Sequence, residues 1–355
     1  MIDLRCPRDL RDATRAPWRW TGAIVALLIA ACAPREAAVP VREGMLPLAT
    51  GDSLWYSVRG SGPDTIVAVP GGPAFSHAYL TDALGSLASS HTLVLYDPRG
   101  RGRSTAVNAA APGISSQTDA TDLLTLLDSL GLGRPALLAH HAGSDVVTRL
   151  AILAPARVGR TVFVAPELPH GVAIYDLASE VMDTAATARL AADYRDSLHT
   201  RDELAYCRRH WGFGLAPIEE LDSRTVMALA DSVCDGTAAT RNAMSAIKSS
   251  IATARGINFH LADSMQTYPS PLLVLQGNRD RIYLFWSRMY AARAPDARML
   301  ELPGSPLFPW LESRRTFLDA LEAFYAGAWP TGAVTPPFVT TRPAIDSILP
   351  LAPAL

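Results

Sequence analysis

The chain has 355 residues, 49% of them apolar and 19% charged, with a net charge of −2. That composition supplies a sizeable core and excludes wholesale disorder. The near-neutral charge gives no electrostatic footprint for nucleic acid.

Residues 1–31 read as a targeting segment. Arg5, Arg8, Arg11, Arg15 and Arg19 make its start basic, and Gly22 to Ala31 form an apolar run ending at Cys32. That run is too short to cross a bilayer core of about 30 Å as a helix, so a cleaved signal is expected. Ile29-Ala30-Ala31-Cys32 resembles the bacterial lipobox. The resemblance implies cleavage before Cys32, a lipid on its sulfur, and a place at the cell envelope, on the outer membrane or periplasmic face. A chance cysteine behind an ordinary signal is the alternative. With Cys6 in the discarded segment, Cys207 and Cys234 are the remaining pair, and an oxidising compartment favours a disulfide between them over two buried thiols.

Residues 32–43 read as a polar tether, and 44–166 as the first part of an α/β core. Leu54–Val58, Thr65–Val69, Thr92–Tyr96, Pro135–Ala139 and Arg160–Val164 read as strands, several apolar throughout. Between them, His77–Ser89, Gln117–Leu130 and Val146–Leu153 read as helices, with Gly131 stopping the second. Residues 167–262 hold no convincing strand and read as an inserted helical cap, with helices at Ala185–Ser197 and Ala238–Ala254. Alternation resumes over 263–328 with Pro271–Gln276, Leu284–Ala294, Arg298–Leu302 and Arg314–Tyr325. Residues 329–355 are Pro-rich and aperiodic, a surface strap or a disordered tail. The alternation predicts a mostly parallel sheet wrapped by helices.

Three segments carry a family resemblance. Pro70-Gly71-Gly72-Pro73 follows an early buried strand. Asp97-Pro98-Arg99-Gly100-Arg101-Gly102-Arg103-Ser104 follows the next. Pro271 to Asp280 is a strand leading to an acidic loop. In order, and with the helical insertion, they resemble the α/β-hydrolase superfamily, and prolyl iminopeptidases within it. The resemblance implies an α/β-hydrolase fold, a nucleophile elbow, a triad acid at Asp280, and an oxyanion hole from the backbone N–H groups of Gly72 and Ala142. It implies no cofactor.

Two positions depart from that pattern. The elbow, a small–x–nucleophile–x–small turn, matches Ala139-His140-His141-Ala142-Gly143, which places His141 where the family has serine. The family's histidine precedes a Phe-Pro-Trp-like stretch, and here Leu307 stands before Phe308-Pro309-Trp310. The last of the eight histidines is His260, and a leucine moves no proton. A pseudoenzyme follows: an α/β-hydrolase pocket that binds a small molecule, a peptide or a partner protein, held to the membrane by Cys32. The alternative is a divergent hydrolase or lyase using His141 with Asp280, or His141 with Ser144 three residues on. Ser76 and His77 read as shaping the oxyanion turn. His140 and His141 as metal ligands lack a third ligand at suitable spacing, so no metal is expected. The acidic residues of the insertion, Glu167, Glu180, Glu203, Glu219 and Glu220, read mostly as solvated surface.

Overall fold

The computed structural model describes residues 39–71, 75–105, 115–167, 184–209, 223–234, 264–279, 284–304 and 307–337. Gly72, Asp280, Cys32, Glu180, Glu219, Glu220 and the expected helix Ala238–Ala254 lie outside the described residues.

An eight-stranded sheet runs through the described part. Its strands are β1 (Val41–Pro47), β2 (Ser53–Arg59), β3 (Thr65–Val69), β4 (Thr92–Tyr96), β5 (Ala136–His140), β6 (Thr161–Val164), β7 (Leu272–Gly277) and β8 (Ala297–Leu302). Their spatial order is β1-β2-β4-β3-β5-β6-β7-β8. β2 is antiparallel to both its neighbours, and every pairing from β4 to β8 is parallel. The chain leaves β3 to one side for β4 and returns to the other side for β5. Their C-terminal ends therefore flank the point where strand order reverses, the place where open α/β sheets make their crevice.

The inner parallel strands β3 to β7 are buried on both faces, which is why they read as nearly continuous apolar runs, whereas the edge strand β8 exposes Arg298 and Glu301. Successive side chains along a strand enter opposite cores. Ile66, Ala68, Leu138, Val162, Leu273 and Leu275 fill one, and Val67, Val69, Leu137, Ala139, Phe163 and Val274 fill the other. The first is covered by helices α1 (Ala78–Leu84) and α8 (Arg314–Tyr325). The second is covered by α2 (Ser116–Ser129), α3 (Gly143–Leu153) and α7 (Leu284–Arg293). Ser115 caps α2 by accepting the Thr118 N–H at 3.2 Å, and Gly131, at φ +68°, turns the chain out of it.

Among the described residues of the insertion, regular structure is helical: α4 (Thr184–Arg195), α5 (Leu198–Arg201), a helical stretch over 203–209, and α6 (Ser223–Val233). Cys207 and Cys234 form a disulfide that joins the last two, and both sulfurs pack into the first core.

One boundary needs correction, and one open reading is decided for its described part. The tether expected over 32–43 overlaps β1, which begins at Val41 and pairs with β2 from Val41↔Arg59 to Pro47↔Ser53. The hairpin turn at Leu48–Asp52, with Gly51 at φ +88°, brings that polar segment onto the sheet edge. At the other end, the described part of the C-terminal stretch lies along β8 as a strap. Met299 and Val334 exchange backbone hydrogen bonds at 2.7 and 2.9 Å, and Arg298 stacks over Trp329.

Candidate functional site: an imidazole at the elbow

The turn between β5 and α3 has the geometry of a nucleophile elbow. His141 sits at φ +47°, a left-handed conformation that costs a residue with a Cβ about 1–2 kcal/mol. Its N–H donates to the Val164 carbonyl at 2.9 Å, and its own carbonyl accepts from the Ser144 N–H at 3.0 Å. The turn is tight enough to need small neighbours. A Cβ on Gly143 would lie 2.7 Å from the Val69 carbonyl oxygen, and one on Gly71 would lie 2.5 Å from that of His140. Ala142 is the N-cap of α3, and among the described residues its N–H has no backbone acceptor. That amide lies in the positive field of the helix start, the placement expected of one oxyanion donor.

His140 is fully buried and structural. Its Nε2–H donates to the Leu307 carbonyl at 2.7 Å, while Nδ1 accepts the Tyr79 hydroxyl at 2.8 Å. Tyr79 Oη in turn accepts the Gly71 N–H at 2.7 Å. One tautomer thus satisfies a chain of donors that ties the Gly71 turn, the end of β5 and the Leu307 loop together. Burial pushes the His140 pKa down to about 4, outweighing the carbonyl bond, so the ring stays neutral. The Leu307 side chain packs among the residues around Phe308 and Trp310.

Ser144 is not poised beside His141 as a nucleophile. It is fully buried, and its Oγ–H is directed at the His141 carbonyl, 2.7 Å away, with the Glu167 carbonyl at 3.4 Å. Its place on the first turn of α3 brings the hydroxyl back onto its own turn.

The carboxyl beside His141 is Glu167. Its Oε2 lies 3.5 Å from His141 Nδ1, and the two side chains keep only 15% and 12% exposure. Glu167 follows the fully buried β6 through Ala165, a second non-glycine residue in the left-handed region, at φ +46°. The Glu167 N–H donates to the His141 carbonyl at 3.2 Å, and Tyr290 Oη–H donates to the Glu167 carbonyl at 3.0 Å. The expectation of a solvated carboxylate on the cap therefore fails at Glu167. Its burial comes from a strained turn at the end of the neighbouring strand. Its signal was a glutamate just past a short, mostly apolar strand, a position that α/β topology puts at the crevice.

Charge separation would favour His⁺ and Glu⁻ at this distance, but desolvation wins for both. Burial, reinforced by Asp145, raises the Glu167 pKa to about 8. Burial, reinforced by His140, lowers that of His141 to about 3. At neutral pH the pair is a carboxylic acid beside a neutral imidazole.

The Asp97–Ser104 loop is structural in the described residues. Asp97, fully buried, accepts the His77 and Arg103 N–H groups at 2.7 and 2.8 Å and meets His77 Nδ1 at 2.7 Å. Arg99 forks onto Asp122 and reaches Asp52, and Arg101 forks onto Asp119. His77 stacks on Trp55, with ring centres 4.0 Å apart, and shapes the turn after Ser76. Among the described residues no cluster of three or more His, Cys, Asp or Glu could hold a metal ion. A cleft of about 380 Å³ near Asp64, Arg134, Arg160 and Tyr325 opens at the N-terminal ends of β3 and β5, on the edge of the sheet opposite the elbow.

Comparison with known proteins agrees with this architecture. Residues 66–320 match the model of the alpha/beta hydrolase family. The chain is similar to the carbamate hydrolase RutD of Caulobacter segnis, 34% identical over 119 residues, 32% of this chain and 43% of that protein. It is also similar to RutD of Pseudomonas savastanoi, 37% identical over 90 residues, 25% of this chain and 34% of that protein. The match thus spans less than half the length of these relatives. Two solved structures share the fold. The esterase EaEST of Exiguobacterium antarcticum has a TM-score of 0.60 at 16% identity, covering 81% of this chain and 100% of that one. Est816, described as an N-acyl homoserine lactone degrading enzyme, has a TM-score of 0.59 at 18% identity, covering 79% and 100%.

Proposed function

The chain belongs to the alpha/beta hydrolase family, and from that premise we propose that its crevice binds a carbonyl compound without serine hydrolysis, at the cell envelope. One observation carries this reading. The crest of the elbow is the imidazole of His141, while the nearby hydroxyl, Ser144, donates to the carbonyl of that same residue. Leu307, at the position expected for the family's histidine, contributes its carbonyl to His140 and its side chain to the core. A serine mechanism needs a hydroxyl and a facing base, and neither is supplied by these positions.

The site and the relatives together point to one class of ligand. The Ala142 amide suits a carbonyl oxygen, and the similar proteins are named for carbamates, esters and lactones. A small molecule or a short peptide bearing such a group is the proposed occupant. Lipid on Cys32 would hold the protein at the outer membrane or periplasmic face, and labelled palmitate should enter the wild type but not Cys32→Ser.

The second reading is a divergent hydrolase or lyase, and the polar pair at His141 and Glu167 favours it. A panel of nitrophenyl esters, nitrophenyl carbamates and N-acyl homoserine lactones separates the two. The binding reading expects thermal stabilisation by at least one of them and no turnover above that of His141→Ala. Turnover abolished by His141→Ala would replace it with the divergent enzyme.

A further inference from the structure

Most carboxyl groups in a fold are solvated or ion-paired, and Glu167 departs from both. The groups facing it come from three elements. His141 lies on the elbow. Asp145 and Arg149, bonded to each other at 2.9 Å, lie on α3. Tyr290 lies on α7. The backbone fixes the pair's register twice, through the Glu167 N–H to the His141 carbonyl and through Tyr290 Oη to the Glu167 carbonyl. Two left-handed residues, His141 and Ala165, spend strain at the ends of adjacent strands, and the result is these two side chains side by side.

We propose that Glu167 and His141 form a proton-transfer pair at the elbow, and that the carbonyl compound held there is a carbon acid with a labile hydrogen beside its carbonyl. The identity of the ligand rests on the reading given under the proposed function; the pair itself does not. The Glu167 carboxylate takes the hydrogen from the carbon next to the carbonyl. The C–H electron pair becomes a C=C bond, and the carbonyl π pair moves onto oxygen, beside the Ala142 N–H. The proton rests on Glu167, with the neutral His141 imidazole 3.5 Å away beside it, and returns to carbon in the reverse step. Nothing is oxidised and no second reactant is consumed. A carboxyl titrating at about 8 suits the task, because an acid–base group works best with its pKa near the working pH.

Two measurements test the pair. Infrared difference spectra should show the carbonyl stretch of a protonated carboxyl at about pH 6. It should be lost by about pH 10 and missing at both in Glu167→Gln. Nitrobenzisoxazole, whose ring opens to a cyanophenolate when a base removes its one acidic C–H, reports proton abstraction directly. Its elimination rate should rise to a plateau above about pH 8 and fall roughly a hundredfold in Glu167→Gln. His141→Ala should move the inflection of that profile. Absence of the protonated-carboxyl band, or equal elimination by wild type and Glu167→Gln, overturns the proposal. The band without elimination keeps a buried acid but refutes proton transfer to carbon acids. Failure of the ester, carbamate and lactone panel, with both results positive, removes the proposed ligands and leaves the pair standing.

Discussion

Replacing Tyr79 by Phe removes one oxygen atom and tests the polar chain that holds the site together. In the wild type that oxygen accepts the Gly71 N–H at 2.7 Å and donates to His140 Nδ1 at 2.8 Å, with Tyr79 7% exposed and His140 fully buried. The ring would stay wedged between Phe75, Phe308 and Trp310, so little is lost in packing. Two buried groups are left without their partner, each costing about 1–3 kcal/mol. Removing the desolvated hydroxyl offsets part of this, so the net loss should be about 2–4 kcal/mol. For a chain of this size that is a fall in Tm of roughly 4–10 °C. Calorimetry on the purified mature protein measures it, and amide exchange at Gly71 should quicken in the same variant. A Tm within about 1 °C of wild type, with Gly71 still protected, would show that Tyr79 does not tie the turn to His140.

Other consequences follow from the same structure. Glu167 binds a proton in the folded state up to about pH 8 that the unfolded chain releases near 4.5, so its contribution to stability falls as pH rises through that window. His140 and His141 act oppositely, gaining stability as pH rises from about 3–4 to 6.5, so above pH 6.5 only buried carboxyls with raised pKa, among the described residues Glu167 with Asp145 and Asp122, slope the curve downward. Urea denaturation should therefore show stability declining between about pH 6.5 and 8 in the wild type and a shallower decline in Glu167→Gln. An unchanged slope in the variant assigns it to another group. Arg101→Ala strands the buried Asp119 carboxylate and should cost about 3–5 kcal/mol in the same assay, whereas removal of the half-exposed Arg103 partner of Glu43 should cost under about 1 kcal/mol. Reduction of Cys207–Cys234, which closes a loop of 27 residues, should cost about 3–4 kcal/mol and loosen α6 first, read as earlier proteolysis within the cap.

The sheet was legible because its inner parallel strands are buried on both faces. Thr92–Tyr96 and Thr65–Val69 have the same limits in sequence and in space, since a buried apolar run behind an opening threonine leaves little choice of register. β1 was not legible, because an edge strand with Glu43 and Gly44 facing solvent or a single neighbour shows no apolar run, and its pairing is set by the hairpin turn at Gly51. The elbow was legible from the spacing of Ala139, His141 and Gly143, because the close approach of β3 to α3 admits only small side chains there. His140 and Glu167 were not. The partners of His140 lie 61 and 167 residues away along the chain, and the hydroxyl that holds Glu167 lies 123 residues away. Long-range contacts of this kind decide whether a histidine is a strut or a base, and whether a glutamate is charged.

The central claim is that the hydroxyl chemistry of this fold has been replaced at residue 141. Incubation of the folded protein with a fluorophosphonate, followed by peptide mass analysis, tests it most directly, because the probe reports an activated serine whatever its natural substrate. No adduct should form on Ser144, whose Oγ–H is committed to the His141 carbonyl. A stoichiometric adduct on Ser144 would contradict it.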